Sequence, residues 1–156
     1  MPEALDDVVM ALSRLIRALG RARTHDMLTQ EAGVQIERPA EKILGSLRVA
    51  GEPRRIGAIA DELQVESPHV TRHVAVLERR GYVERVADPH DRRASLIRLT
   101  PIGEDAADRC RGVTGAWFDA ALRNWPEEDR KELIRLVPKL ADDLDAHFQR
   151  LYDLHH

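Results

Sequence analysis

The stretch Ser67-Pro68-His69-Val70-Thr71-Arg72-His73-Val74-Ala75-Val76-Leu77-Glu78-Arg79-Arg80-Gly81 decides the fold. Val70, Val74 and Leu77 recur at steps of four and three, which places them on one stripe of an amphipathic helix. At about 100° per residue the opposite side carries Pro68, Arg72 and Arg79, with His69 and Thr71 flanking it near the N-terminal end. Ser67 suits the N-cap and Pro68 the first helical position, where its missing N–H leaves no bond unmade. Gly81 is placed to end the helix as its C′ residue. A short helix held by one apolar face, offering small, hydrogen-bonding and cationic groups from its first two turns, has the make-up of a major-groove reading helix.

The flanks turn this helix into a module. Upstream, Ile56, Ile59, Ala60 and Leu63 repeat at helical spacing, and the turn Gln64 to Glu66 leaves room only for a sharp reversal, so the two helices form a helix-turn-helix. Downstream, residues 81–100 alternate strand-forming residues on both sides of a turn that holds Asp88, Pro89 and the cluster His90, Asp91, Arg92, Arg93. A helix-turn-helix followed by such a hairpin is a winged helix. Further out, Pro39 opens a helix whose Ile43, Leu44 and Leu47 are expected to pack beneath the reading helix before Gly51 stops it.

Residues 4–22 carry Leu5, Val8, Val9, Leu12, Leu15, Ile16 and Leu19 at helical period, and Met27, Leu28 and Ala32 can extend a weaker helix to Gly33. Thr100 and Pro101 repeat the start signal of N-cap followed by proline. Ile102, Ala106, Cys110, Val113, Trp117 and Ala121 then mark a long stripe containing Gly112 and Gly115, each costing about 1 kcal/mol relative to alanine. Glycines there suggest close helix contact or a bend. Pro126 opens a last helix with Leu133, Val137, Leu140, Leu144, Phe148 and Leu151 on one face. Its interior Pro138 removes the N–H that would bond residue 134, so a kink is expected.

The expected architecture is mainly α with a small β-hairpin wing. An N-terminal dimerisation helix and linker occupy 1–38, the winged helix-turn-helix 39–100, and C-terminal dimerisation helices 101–156. The terminal helices carry more apolar surface than one small winged helix can cover, which points to a homodimer with two-fold symmetry.

Composition sets outer bounds. The 156 residues fit one domain of ordinary size, or one small module with helical extensions. No apolar run approaches the roughly eighteen residues a membrane span needs. The N-terminus lacks a signal-peptide pattern, so the expected location is cytoplasmic. The single cysteine, Cys110, excludes an intrachain disulfide and a multi-cysteine zinc site. The net charge of −3 is unevenly distributed. Residues 1–52 hold seven basic and eight acidic side chains, residues 53–100 nine and seven, and residues 101–156 eight and twelve. Only the central segment is positive, and phosphate attraction is local, acting over about 8 Å at physiological salt.

Across residues 39–104 the chain resembles the MarR family of bacterial transcription regulators. The resemblance rests on Leu63, Val65, Ser67, Pro68, Val70, Thr71, Arg72, Val74, Leu77, Glu78, Gly81, Val83 and Arg85. It continues through the wing in Asp88, Pro89, Asp91, Arg92 and Arg93, and beyond it in Leu99, Thr100 and Gly103. It implies a triangular dimer that binds double-stranded DNA at an inverted-repeat operator, most often as a repressor. It also implies small anionic or aromatic effectors seated between the dimer helices and the winged helix.

Candidate DNA-binding residues are Ser67, Pro68, His69, Thr71, Arg72 and His73 on the reading helix and His90, Arg92 and Arg93 on the wing. Arg72 suits a bidentate contact to guanine O6 and N7, worth about 1–3 kcal/mol of base discrimination. Thr71 suits a phosphate, and His73, beside the apolar stripe, suits a structural or phosphate-proximal place. Asp91 is expected to stabilise the wing by pairing with a neighbouring arginine, leaving the other to enter the minor groove, Arg92 in preference to Arg93. Arg17, Arg21, His25 and Trp117 are candidates for the effector site. Histidines near phosphates would raise operator affinity as pH falls.

A redox trigger at Cys110 and a winged-helix protein-interaction module are the alternatives. No metal ligand set, cofactor motif or catalytic constellation is expected: three of the seven histidines flank the DNA-facing surface, and His155 and His156 close the chain.

Overall fold

The computed structural model describes residues 2–154, which divide into two compact units, the boundary falling between Gly115 and Ala116. The first unit begins with α1 (Pro2–Leu19) and α2 (Ala22–Ala32). The apolar stripe read over residues 4–22 is interrupted at Gly20, where a Cβ would lie 2.9 Å from the Ile16 carbonyl oxygen and 3.0 Å from Arg38 Nη2. Gly33 ends α2 in the left-handed region, at φ 68°.

Next come α3 (Arg38–Ala50), α4 (Ile56–Leu63) and α5 (Ser67–Arg79). Ile43, Leu44 and Leu47 of α3, Ile59 of α4 and Val70, Val74 and Leu77 of α5 are all essentially inaccessible and form one core. Removing one of these large side chains costs about 2–5 kcal/mol, transfer and cavity terms together. The turn between α4 and α5 is made by Gln64, at φ 54° the one non-glycine residue with positive φ among those described. Its Nε2 donates to the Asp61 carbonyl at 2.6 Å, a local bond that compensates for the unfavourable backbone.

The reading helix starts one residue earlier than its Ser-Pro signal indicates. Glu66 is the N-cap, with no side-chain cap bond, and Ser67 is already helical. Its end follows expectation. Gly81, at φ 77°, donates to the Glu78 carbonyl at 3.0 Å while Tyr82 N–H reaches back to the Leu77 carbonyl at 2.9 Å. These two bonds form a Schellman motif, and they deliver the chain into the wing at a fixed angle.

The wing is β1 (Val83–Asp88) antiparallel to β2 (Asp91–Leu99), in register from Val83 with Leu99 to Ala87 with Ser95. A bulge follows, so that Asp88 faces Asp91. Arg54 adds a further rung: its N–H donates to the Ile97 carbonyl at 2.9 Å and its carbonyl accepts from Ile97 N–H at 2.7 Å. Val83 and Ile97 turn inward and are buried.

The junction after the wing is the tightest place in the unit. Thr100 Oγ1 accepts from Gly103 N–H at 3.1 Å, as an N-cap does, and donates to the Gly81 carbonyl. Thr100 N–H donates to the Tyr82 carbonyl at 3.0 Å. A Cβ on Gly103 would sit 1.8 Å from that same Tyr82 oxygen, so only glycine fits. From here α6 (Pro101–Ala121) buries Gly103, Ala106, Ala107 and Cys110 and is pinned by Arg48 to Asp108 at 2.8 Å and by Arg109 to the Ala32 carbonyl at 2.8 Å. At Gly112 and Gly115 a Cβ would meet no atom of the chain within 4 Å, so no contact within this chain demands glycine there.

In the second unit α7 (Glu127–Leu154) runs on through Pro138, and none of its residues is buried. No helix among the described residues is long and apolar enough to cross a membrane.

Candidate nucleic-acid interface

Two surfaces of the first unit carry the residues singled out from sequence. On α5, the inaccessible Val70, Val74 and Leu77 fix the helix against α3 and α4, and Ser67, Pro68, Thr71 and Arg72 are exposed. Thr71 Oγ1 donates to the Ser67 carbonyl at 3.0 Å, which leaves its lone pairs facing outward. His69 is half-exposed, and its Nδ1 accepts from Arg72 Nη2 at 3.4 Å.

His73 is placed differently from its neighbours. It is 6% exposed, stacked edge-on against His69 with ring centroids 4.7 Å apart, and its Nδ1 lies 3.8 Å from Glu37 Oε2. Burial, with help from His69 and Arg72, holds its pKa below the ordinary histidine value, against the opposing pull of Glu37. It therefore lies behind His69, at the edge of a cavity that Arg72 and Arg80 also line.

At the wing tip His90, Arg92 and Arg93 are exposed. The Asp91 carboxylate accepts from the Arg93 backbone N–H at 3.0 Å and makes no ion pair with an arginine among the described residues. The wing is instead anchored through Asp88. This carboxylate is 5% exposed, accepts from His90 N–H at 2.9 Å through Oδ1, and takes both Nε and Nη2 of Arg55 on Oδ2, Nε at 2.9 Å. The His90 N–H and then the Arg55 guanidinium hold its pKa below the usual carboxylate range. Arg55 is the N-cap residue of α4, so one ion pair joins the helix-turn-helix to the hairpin. Asp88 and Arg55 were not distinguishable by sequence pattern as the anchor. The one available signal was Asp88-Pro89, which favours a turn closed by an Asp side chain on the N–H two residues on.

The candidate effector residues are not gathered by the first unit. Arg17 and Arg21 are exposed on and just after α1, and Trp117 belongs to the second unit. His25 is half-buried. Its Nε2 donates to the Ile36 carbonyl at 3.1 Å, while its buried Nδ1 has no partner among the described residues. Nearby Glu41 has its pKa raised by burial, against the pull of His25, Lys42 and Arg38. Cys110 is 5% exposed, and burial and then the Glu41 charge push its thiol up, the reverse of what an oxidant-sensing thiolate needs. No group of three or more His, Cys, Asp or Glu that could hold a metal occurs among the described residues, and His155 and His156 lie outside them.

Comparison with known proteins gives this geometry its context. Residues 42–94, spanning the helix-turn-helix and the wing tip, match the model of the MarR family. Over that stretch, about a third of its length, the chain is similar to the MarR family. The HTH-type transcriptional regulator BilQ of Clostridioides difficile is 29% identical over 84 residues, 54% of this chain and 57% of that protein's own length. A point mutant of MarR from E. coli superposes with a TM-score of 0.64 at 25% identity, covering 83% of this chain and 96% of that one. A mutant of MepR from Staphylococcus aureus, bound to an oligodeoxyribonucleotide, shares the fold at a TM-score of 0.58 and 18% identity, covering 90% and 97%. The mainly helical fold with a winged helix-turn-helix expected from the sequence is the fold found.

Proposed function

We propose that this chain is a DNA-binding transcription regulator of the MarR family, acting as a homodimer on an inverted-repeat operator and released from it by a small anionic or aromatic effector. The observation that carries the reading is the two-sidedness of α5. Its apolar stripe is fully committed to the core, while Thr71, Arg72 and His69 remain available at its N-terminal end, with Arg92 and Arg93 exposed on the wing. Arg72 reads a base pair in the major groove, Ser67, Pro68, Thr71 and His69 fit against the adjoining backbone and base edges, and His90 approaches a phosphate. Arg92 enters the minor groove, whose negative potential favours arginine, with Arg93 beside it. Asp91 stiffens the wing tip through the Arg93 amide. His73 serves the interface from beneath. The MepR relative bound to an oligodeoxyribonucleotide supports the same use of the fold.

Homodimerisation is supported by apolar side chains the chain leaves uncovered. Ile16 of α1 is 70% exposed and Ile134 of α7 68%, with Val9, Leu15, Val137 and Phe148 also in the open. Side chains of that size on long amphipathic helices belong against another copy. In this reading residues 1–38 and 101–156 supply dimerisation and residues 39–100 bind DNA, so two reading helices enter successive major grooves about ten base pairs apart. The orphaned Nδ1 of His25 supports an effector with a hydrogen-bond donor near α2, and Arg17, Arg21 and Trp117 remain candidate effector residues to be tested one by one.

Selection of bound duplexes from a random library tests the function. The expected outcome is a palindrome that Arg72→Ala relaxes at one base pair per half-site and that Arg92→Ala binds more weakly. Absence of any enriched sequence at low salt, where the phosphate contribution is largest, refutes it. Sedimentation of Ile134→Glu/Val137→Glu against the wild-type chain tests the dimer: the wild type is expected at twice the mass of the variant.

A further inference from the structure

Arg72 is not a free charge on the reading helix. Its Nη2 is held at 3.4 Å by His69 Nδ1, less than one turn before it. Behind His69 stands the edge of the His73 ring, at 4.7 Å and 65°, and behind His73 stands Glu37, 3.8 Å away at the N-cap of α3. Four side chains thus lead from the start of α3, through a buried imidazole, to the guanidinium at the surface. None of them is needed to close the core, which Val70, Val74 and Leu77 already do.

The hydrogen-bond chemistry fixes the state of His69. A guanidinium has only donors, so the Nδ1 that meets it must be the ring nitrogen without a proton, and the proton of the neutral ring sits on Nε2. His69 therefore presents an Nε2–H beside Arg72 on the same face. An arginine with free rotamers must be ordered when it binds, whereas one already held has lost that freedom in advance.

The geometry points to His69 as the positioning residue for Arg72, braced by His73 and Glu37, with its own Nε2–H offered to the duplex as a second donor. This inference rests on the DNA-reading function proposed above. Arg38 and Lys42 of α3 line the cavity on one side of His69, Arg80 lines the one beside His73, and Glu37 is the acidic group of the set. Leu63 of α4 and Val65 of the turn contribute only apolar surface.

The experiment compares affinities of the full chain for the selected duplex and for the same duplex exchanged at the base pair that Arg72→Ala no longer distinguishes. It uses the wild type, His69→Asn and His69→Leu, all at about pH 8. The Asn Oδ1 can stand where Nδ1 stands and accept from Arg72. His69→Asn is therefore expected to keep the wild-type selectivity. His69→Leu is expected to lose about tenfold in selectivity. Wild-type selectivity in His69→Leu, or equal losses in the Asn and Leu variants, overturns the inference while leaving the DNA-reading function intact. Imidazole nitrogen shifts of the free protein give an independent readout. An Nε2–H tautomer at His69 that is scrambled by Arg72→Ala supports the hold, and an Nδ1–H tautomer in the wild type overturns it. A wild type that enriches no sequence removes the DNA-reading function and this inference with it.

Discussion

Replacing Gly103 by alanine puts the wing junction under direct test. The new Cβ would lie 1.8 Å from the Tyr82 carbonyl oxygen and 2.8 Å from its carbon, both backbone atoms that no rotamer change can move. Real Cβ contacts do not fall under 3.0 Å, so the helix start and the wing base must separate by at least about 1.2 Å. That motion takes the Thr100 N–H off the Tyr82 carbonyl, pulls Thr100 Oγ1 from the Gly81 carbonyl and loosens the cap on Gly103 N–H. Three hydrogen bonds at about 1 kcal/mol each give roughly 3 kcal/mol. Disturbed packing of Ala106 and Ala107 adds to this, and the better helix propensity of alanine returns about 1 kcal/mol. The net expectation is a loss of about 2–3 kcal/mol. At an m-value of about 2 kcal/mol/M, urea unfolding at fixed protein concentration should show a midpoint lower by about 1 M or somewhat more. Gly45→Ala is the control, since a Cβ there meets no atom within 4 Å and propensity alone applies. A Gly103→Ala midpoint equal to or above the wild type's would refute the reasoning.

Three further outcomes follow from the packing and electrostatics of the first unit. Gln64→Gly relieves a left-handed residue that costs about 1–2 kcal/mol but loses the bond to the Asp61 carbonyl, so a gain of roughly 0.5–1 kcal/mol in urea unfolding is expected; a loss would mean the side-chain bond dominates. Glu41 has a folded pKa above its unfolded value of about 4.3, so its contribution to stability is full below that value and lost as pH rises through the folded one. Glu41→Gln should therefore raise the melting temperature at pH 7 and give no gain near pH 4, and equal effects at both pH values would contradict the assignment. Asp88 has the opposite sign. Its depressed pKa gives stability that is present above about pH 4 and lost as pH falls through the folded value, so the protection of the His90 amide, relative to its intrinsic exchange rate at each pH, should fall in acid, and Asp88→Asn should abolish that pH dependence.

Periodicity made the helices legible, because burial of one face leaves a repeat in the chain that needs no partner to be seen. Val70, Val74 and Leu77 announced α5, and Ile43, Leu44 and Leu47 announced α3, each landing in the core. His73 sits about 60° from Val70 on the helical wheel, and that small angle is why it falls on the buried side and braces rather than faces outward. What stayed hidden were contacts between residues far apart in the chain. Asp91 and Asp88 look alike as wing carboxylates, and only the approach of Arg55 from 33 residues upstream shows which one is the anchor. Gly103 was visible as part of a motif, but the reason for it, the Tyr82 carbonyl, is a matter of three-dimensional approach. Gln64 gave no signal because glutamine has no preference for the backbone it adopts. The break at Gly20 was hidden because apolar positions continue on both sides of it.

The Arg55–Asp88 pair has a consequence for the kind of duplex the module accepts. It joins the residue that starts α4 to the turn carrying Arg92, so the offset between reading helix and wing tip is set by the protein. On the proposed function, the module then behaves as a gauge of fixed width laid across a major groove and the neighbouring minor groove. Duplexes whose local twist brings those grooves to that spacing are engaged at both points, whereas overwound or underwound ones must be distorted to fit. Part of the selectivity thereby lies in base pairs that no side chain touches.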